Sequence, residues 1–147
     1  MATKINLTAI AADRGIHCFT YSLYPHQGDF REGGTIPEGY LLNAPLDVFF
    51  TDKAEGSLPD TGSVITCSQP NIVIETIKKA EADDSIIVRL YDAFNQKTCA
   101  ELCPSFDYRE VYLCDMLENS LKKLEAENGN VTVNVRNFEI ITLKFVR

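Results

Sequence analysis

The sequence predicts an all-β fold built as an antiparallel β-sandwich, and three observations support this prediction. Almost every apolar segment is short and rich in β-branched or aromatic residues. Turn-forming residues separate these segments at intervals of about 8–12 residues. In Val131–Arg136, valine alternates with polar residues. Strict alternation places all the valines on one face of a strand, which indicates one buried and one solvated face.

Each predicted strand follows from the same pattern. Asn128-Gly129 is a strong hairpin signal, so a strand at Leu121–Glu125 should run into Val131–Arg136. Leucines 117, 121 and 124 also recur at helical spacing, and a short helix is therefore the competing prediction there. The sequence also allows a helical turn at Gly39–Asn43. The other predicted strands are His17–Tyr24, Leu46–Thr51, Ser63–Cys67, Asn71–Lys79, Ser85–Phe94, Thr98–Leu102, Glu110–Cys114 and Phe138–Val146.

A chain of 147 residues forms one large or two small domains. The segment Cys67–Pro70 has the proline and polar residues typical of a boundary. It separates a loop-rich part, residues 1–67, from a strand-rich part, residues 68–147. We therefore predict an incomplete first β-sheet region followed by a smaller C-terminal β-sandwich domain.

Composition and charge exclude several classes of function. The net charge is −7, and the 14 basic residues are scattered, which argues against a protein that binds nucleic acid. The N-terminal sequence lacks the apolar core of a signal peptide, and no segment approaches the ~20 apolar residues that span a bilayer. We therefore expect a cytoplasmic protein with no membrane partner. The odd number of cysteines, five, favours reduced thiols over a disulfide framework.

One loop concentrates the side chains that could perform chemistry. His26, Asp29 and Arg31 lie within six residues and are flanked by Tyr24 and Phe30. Charged groups beside aromatic faces can hold a sugar, because hydroxyls need donors and acceptors while C–H faces pack on rings. The same residues can equally brace the loop, with Asp29 capping a turn or pairing with Arg31. The five residues are therefore candidates for substrate contact or loop bracing, and no catalytic or metal-binding residue is predicted.

Several blocks of the sequence form a recognisable ordered set: Tyr24-Pro25-His26, Gly28-Asp29, Leu42-Asn43, Pro45-Leu46, Lys78–Glu81, Arg89–Tyr91 and Phe138–Ile140. Together they closely resemble the C-terminal region of α-mannosidases of glycoside hydrolase family 38. The resemblance extends from about Asp13 to Val146, and the blocks occur in the family's order. It implies that residues up to about Cys67 end a central β-sandwich and that a terminal β-sandwich follows. It also implies a zinc-dependent retaining enzyme whose zinc ligands and nucleophile lie in N-terminal domains.

The resemblance leads to one main functional hypothesis and two alternatives. The main hypothesis is a non-catalytic, structural or accessory part of an enzyme that hydrolyses terminal α-mannosides, with no cofactor of its own. Its partners would be the N-terminal catalytic domains, or a subunit carrying them, and mannose-containing glycans. A stand-alone carbohydrate-binding module is the first alternative. The second is an interaction piece whose exposed apolar surface would cause self-association. The first residues depart from the family pattern, which fits an expressed fragment, a truncated reading frame or a subunit of a split enzyme.

Overall fold

The computed structural model describes residues 16, 18–52, 55–57 and 59–147. Its contacts divide the chain into a first unit, Met1–Ala54, and a second unit, Glu55–Arg147. No helix among the described residues is long and apolar enough to cross a membrane. The elements are α1 (Thr35–Asn43), β1 (Ile65–Cys67), β2 (Ile72–Lys79), β3 (Ile86–Asp92), β4 (Thr98–Pro104), β5 (Glu110–Cys114), β6 (Ser120–Leu124), β7 (Ala126–Glu127), β8 (Asn130–Val135) and β9 (Ile140–Val146).

The described residues of the first unit contain one helix, and none of them is buried. The helix α1 extends the predicted turn at Gly39–Asn43 toward the N-terminus. The strands predicted at His17–Tyr24 and Leu46–Thr51 are wrong for the described residues, which form no strand there; His17 itself lies outside them. A strand needs neighbouring backbone groups for its hydrogen bonds and a surface against which to bury one face. Of the described residues in this unit, only Thr20 forms a single backbone bridge, which is too short for a strand, and none is buried.

The second unit is an antiparallel β-sandwich, and the predicted fold class is confirmed. One sheet has the strand order β1-β4-β8-β7, and the other has the order β2-β3-β9-β5-β6. Every pairing between neighbouring strands is antiparallel. The division of the chain after Ala54 comes earlier than the predicted boundary at Cys67–Pro70. The strand β1 pairs with β4 and so contributes to the sheets of the second unit.

The core lies between the two sheets and is built from the alternation seen in the sequence. Val131, Val133 and Val135 point inward from β8, as their spacing predicts. Leu143 and Phe145 of β9 are fully buried and face them from the other sheet. Because each buried aliphatic or aromatic side chain stabilises the fold by about 1.5–3 kcal/mol, this shared apolar layer holds the sheets together. The remaining buried members of the cluster are Ile65, Ile72, Val88, Leu90, Ala100, Leu102, Val111 and Ile141.

The predicted hairpin at Asn128-Gly129 is confirmed. Glu127 pairs with Asn130, so the loop has two residues, and both have positive φ, 53° at Asn128 and 81° at Gly129. This is the geometry of a type I′ turn, which Asn-Gly favours. The strand predicted at Leu121–Glu125 forms as β6, but it pairs with β5 in the other sheet and not with β8. The hairpin partner of β8 is the shorter β7. The chain thus crosses between the sheets at Glu125, and the competing helix does not form.

A buried carboxylate joins three separate segments at one end of the sandwich. The side chain of Asp92 is fully buried. Its Oδ1 accepts hydrogen bonds from Asn71 Nδ2 at 2.7 Å and from the N–H of Phe94 at 3.2 Å. Its Oδ2 accepts from the N–H groups of Gln96 and Phe138, each at 2.9 Å. The carboxylate therefore links the start of β2, the turn before β4 and the turn before β9.

The pKa of Asp92 shows that hydrogen bonding to its carboxylate dominates over burial. Burial raises the pKa, but the hydrogen bonds from Phe138 and Asn71, with those from Gln96 and Phe94, outweigh it, and the net pKa is lowered from 3.8. A carboxyl whose pKa is lower in the folded state stabilises the fold fully above its unfolded pKa. That contribution decreases as the pH falls below about 4, through the lower folded-state pKa.

We predict that Asp92→Asn destabilises the second unit by about 2–4 kcal/mol, because an amide nitrogen cannot accept the backbone N–H groups that the carboxylate binds. The free energy of unfolding is measured by urea denaturation. Asp60→Asn, at an exposed position, is the matched control and should change it by less than about 0.5 kcal/mol. Equal effects of the two substitutions would contradict the role assigned to Asp92.

Candidate functional site

Backbone capping shapes the loop that contains the candidate site residues. Asp29 Oδ1 accepts hydrogen bonds from the N–H groups of Arg31 at 2.9 Å and Glu32 at 3.2 Å. In return, Glu32 Oε2 accepts the N–H of Asp29 at 3.2 Å. This reciprocal arrangement is that of a capping box, in which two acidic or polar side chains three residues apart satisfy each other's backbone. The N–H of Gly33 donates to the carbonyl of Asp29 at 2.9 Å and closes the turn.

The second oxygen of Asp29 is occupied by Arg31. The Nε and Nη2 atoms of Arg31 lie 2.9 and 2.6 Å from Asp29 Oδ2. This side-chain hydrogen bond, followed by the backbone bonds from Glu32 and Arg31, lowers the pKa of Asp29 to about 2. The guanidinium carbon also lies 5.7 Å from the centre of the Phe30 ring, within the range of a cation–π contact. Because both charged side chains are more than 40% exposed, the pair adds little to global stability.

His26 is held between a turn and an aromatic ring. Its Nδ1 lies 3.1 Å from the carbonyl of Gln27, so Nδ1 carries the hydrogen, and Nε2 at 3.3 Å can accept from the hydroxyl of Thr35. The Tyr24 ring lies 5.7 Å from the imidazole, and the Tyr24 hydroxyl donates to the carbonyl of Gly33 at 3.1 Å. A Cβ at Gly33 would lie 2.2 Å from Nδ1, so only glycine fits beside this histidine.

The five predicted site residues thus lie together in one loop, and their polar groups are bonded to one another, to the loop backbone or, for His26 Nε2, to the hydroxyl of Thr35. Asp29 makes both contacts that the loop-bracing hypothesis requires. A carboxyl with a pKa near 2 stays ionised at neutral pH, so it does not suit the role of a general acid. The rings of Tyr24 and Phe30 are about half exposed and remain accessible on the loop surface. Substrate contact by this loop stays a prediction.

The described residues contain no group of three or more histidine, cysteine or acidic side chains placed to hold a metal ion. The zinc implied by the family resemblance therefore has no ligand set in the described part of this chain.

Glu118 lies in surroundings that differ from those that the sequence predicts. Asp115, Glu118 and Glu125 suggest a solvated acidic strip, but the side chain of Glu118 is only 9% exposed. Its Oε1 lies 2.8 Å from Lys78 Nζ, and its Oε2 accepts the N–H of Glu81 at 2.9 Å. The Lys78 hydrogen bond is the main cause that lowers the pKa of Glu118. This side chain joins the loop before β6 to the turn after β2, a long-range contact that sequence spacing does not reveal.

Comparisons with known proteins agree with the fold. Residues 71–143 match the model described as "Glycosyl hydrolases family 38 C-terminal beta sandwich domain". The chain is 33% identical over 141 residues to Alpha-mannosidase G of Dictyostelium discoideum, covering 91% of the chain. It is 36% and 34% identical over 141 residues to Alpha-mannosidase 2C1 of Mus musculus and Homo sapiens, covering 92% of the chain. The chain spans 13% of the length of each of these relatives.

The close approach at Gly33 leads to a first prediction for this loop. In Gly33→Ala, the new methyl group should displace the His26 ring and shift the NMR resonances of His26, Tyr24 and Thr35. Gly39→Ala is the matched control, because a Cβ at Gly39 meets nothing within 4 Å. It should leave those resonances in place and stabilise α1 by up to about 1 kcal/mol. Similar shifts in both variants would refute the packing role of Gly33.

The ion pair leads to a second prediction. The carboxyl carbon of Asp29, followed by NMR, should titrate near pH 2, and Arg31→Gln should move the midpoint toward 3.8 because the largest cause of the shift is removed. Any local stabilisation of the loop by the ionised Asp29 carboxylate is present above about pH 3.8 and is lost as the pH falls through 2. Asp83, whose pKa is lowered chiefly by Lys144, is the internal control. An unchanged Asp29 midpoint in the variant would exclude Arg31 as the cause.

Proposed function

Because the chain belongs to the C-terminal region of family 38 α-mannosidases, we propose that it is a non-catalytic part of a zinc-dependent retaining enzyme that hydrolyses terminal α-mannosides. The family resemblance expected from the sequence is confirmed. In this proposal the zinc ligands and the nucleophile lie in other domains, and the chain supports them structurally. A cytoplasmic location and a role in mannose metabolism are parts of the same proposal.

The observation that supports this proposal most strongly is the surface of the first unit. Large apolar side chains are exposed along its described residues, whereas none of those residues is buried. Leaving this much apolar surface in water is unfavourable, and large exposed apolar patches mark interaction sites. A surface of this kind suits a part that is covered by other domains. The most exposed examples are Ile16, Leu23, Leu46, Val48, Phe49 and Phe50.

The loop from His26 to Arg31 has a defined place in this proposal. Its polar groups are used within the loop, so another domain can cover it without desolvating unpaired charges. The half-exposed rings of Tyr24 and Phe30 can then pack on a neighbouring domain or on the edge of a mannose-containing glycan. Those two rings are also what favours the second candidate function, a stand-alone carbohydrate-binding module. The chain has no tryptophan, the largest ring for stacking on a sugar.

A chimera tests the proposal. The segment of Dictyostelium discoideum Alpha-mannosidase G that matches this chain is either deleted or replaced by the chain, and hydrolysis of an aryl α-mannoside is measured. We expect the deletion variant to lose activity, because removing the segment uncovers the apolar surface that it contacts on the remaining domains. The chimera should retain kcat/KM within about tenfold of the parent, or about 1.4 kcal/mol in activation free energy.

The purified chain alone provides the control arms. With added zinc it should not hydrolyse the same substrate, and hydrolysis that depends on Asp29 would overturn the non-catalytic role. Calorimetric titration with mannose and mannobiose separates the second candidate, since heat of binding at millimolar sugar is expected only of a carbohydrate-binding module. A soluble, folded chimera without activity would contradict the proposed function.

A further inference from the structure

One side of the second unit is open between its two sheets. A groove lies there, bordered by β5 and β6 of one sheet and by β8 of the other. Leu121 and Ile140 line it and are 64% and 61% exposed. Such exposure of two large aliphatic side chains at one site is unfavourable unless something covers them. The apolar side chains that line the groove are Leu113, Leu121, Leu124, Val133, Ile140 and Ile141.

The strand β8 leaves part of its backbone edge open along this groove. On one side, β8 pairs with β4 from Val131 to Val135. On the other side, β7 pairs only with Asn130 and Val131, and no other described strand continues that edge. Because backbone groups alternate between the two edges of an antiparallel strand, and the pair closing a two-residue hairpin is hydrogen-bonded, Thr132 and Asn134 direct their N–H and C=O groups to the open edge.

The position beside this edge has the size and surroundings of a missing strand. The open stretch, residues 132–135, corresponds to a strand of about four residues, or about 13 Å. A strand lying there would direct alternate side chains onto the apolar side chains of β5 and β6. Open edges with an apolar face are avoided in natural sheets or are paired with another segment. The groove therefore fits an extended polypeptide segment with apolar residues at every second position.

The charges at the rim of the groove add a further requirement for the segment that binds there. Lys122 lines the groove and has no ion-pair partner among the described residues. The other basic residue of the rim, Arg136, is already paired with Glu139 at 2.6 Å. An acidic side chain on the incoming segment would pair with Lys122, whereas a basic one would be repelled. The expected segment is thus extended, alternately apolar and acidic near one end.

We propose that an extended segment from another part of a family 38 α-mannosidase polypeptide adds a strand to the open edge of β8 and covers this groove. The inference rests on the proposed function. The curated relatives contain a large excess of polypeptide over the 13% that the chain spans, and this remainder is the source of the segment. Backbone hydrogen bonds to Thr132 and Asn134 supply affinity, and the groove and Lys122 select the side chains.

Tiled peptides test this proposal on the purified chain. Fluorescein-labelled twelve-residue peptides cover the part of Dictyostelium discoideum Alpha-mannosidase G that the chain does not match, and binding is measured by fluorescence anisotropy. One peptide should bind, namely one that has apolar residues at every second position and an acidic residue near one end. Leu121→Asp should weaken its binding at least about tenfold, because a carboxylate would be buried against an apolar segment. Leu117→Asp is the matched control, since Leu117 is exposed outside the groove, and it should leave binding unchanged.

Backbone methylation provides a test that needs no variant of the chain. N-methyl groups on every second residue of the bound peptide should abolish binding in the register whose N–H groups face β8 and preserve it in the other register. Failure of all peptides to bind at millimolar concentration would overturn the proposal, as would binding that is insensitive to both Leu121→Asp and methylation. Light scattering that shows a dimer dissolved by Leu121→Asp would overturn it too, because a second copy would then be the occupant.

The outcome of the peptide-binding test can be distinguished from the outcome of the chimera test. Peptide binding is measured on the chain without any mannosidase activity. An active chimera together with no peptide binding would remove the strand-addition proposal and leave the proposed function intact. An inactive but folded chimera together with specific peptide binding would count against the enzymatic role alone.

Discussion

The fold of the second unit depends on the buried carboxylate of Asp92. A buried charge is tolerated only when hydrogen bonds replace the lost water, and four donors do so here. The donors come from residues next to β2 and β9 of one sheet and next to β4 of the other, so a single group fixes both sheets at one end. Asn71 extends this linkage, because its Nδ2 also donates to the hydroxyl of Thr98 at the start of β4. The carboxylate therefore holds the ends of these strands in a fixed position relative to one another.

Alternation predicts the strand β8 because one face of that strand lies in the core. Val131–Arg136 and Glu110–Cys114 were predicted nearly to the residue, since their inward side chains meet the opposite sheet. The same pattern gave no indication of Asp92 or Glu118. Both are acidic residues with at least one partner far away along the chain, and a single sequence does not show which distant N–H or ammonium group will reach them. Their burial is a consequence of the topology.

In the first unit, alternation in the sequence does not lead to a strand. Phe19, Tyr21 and Leu23 alternate as clearly as the valines of β8, yet they form no strand. Alternation indicates which face of a strand would be buried, but it supplies neither the neighbouring backbone nor the surface for burial. Of the described residues in this unit, only Thr20 forms a single backbone bridge and none is buried, so these side chains stay exposed. One bridge without a buried face does not make a strand.

The candidate loop could be located from the sequence because its residues are adjacent, but their roles depend on geometry. The sequence Asp29-Phe30-Arg31-Glu32 has the spacing of a capping box, and that signal could have indicated how the carboxylate is used. In the structure, the backbone and Arg31 occupy both oxygens of Asp29, which leaves it unsuited to proton transfer. A loop that satisfies its own polar groups and exposes aromatic rings can be covered at little electrostatic cost. Its composition, which at first suggests an active site, is therefore equally suited to an interface beside one.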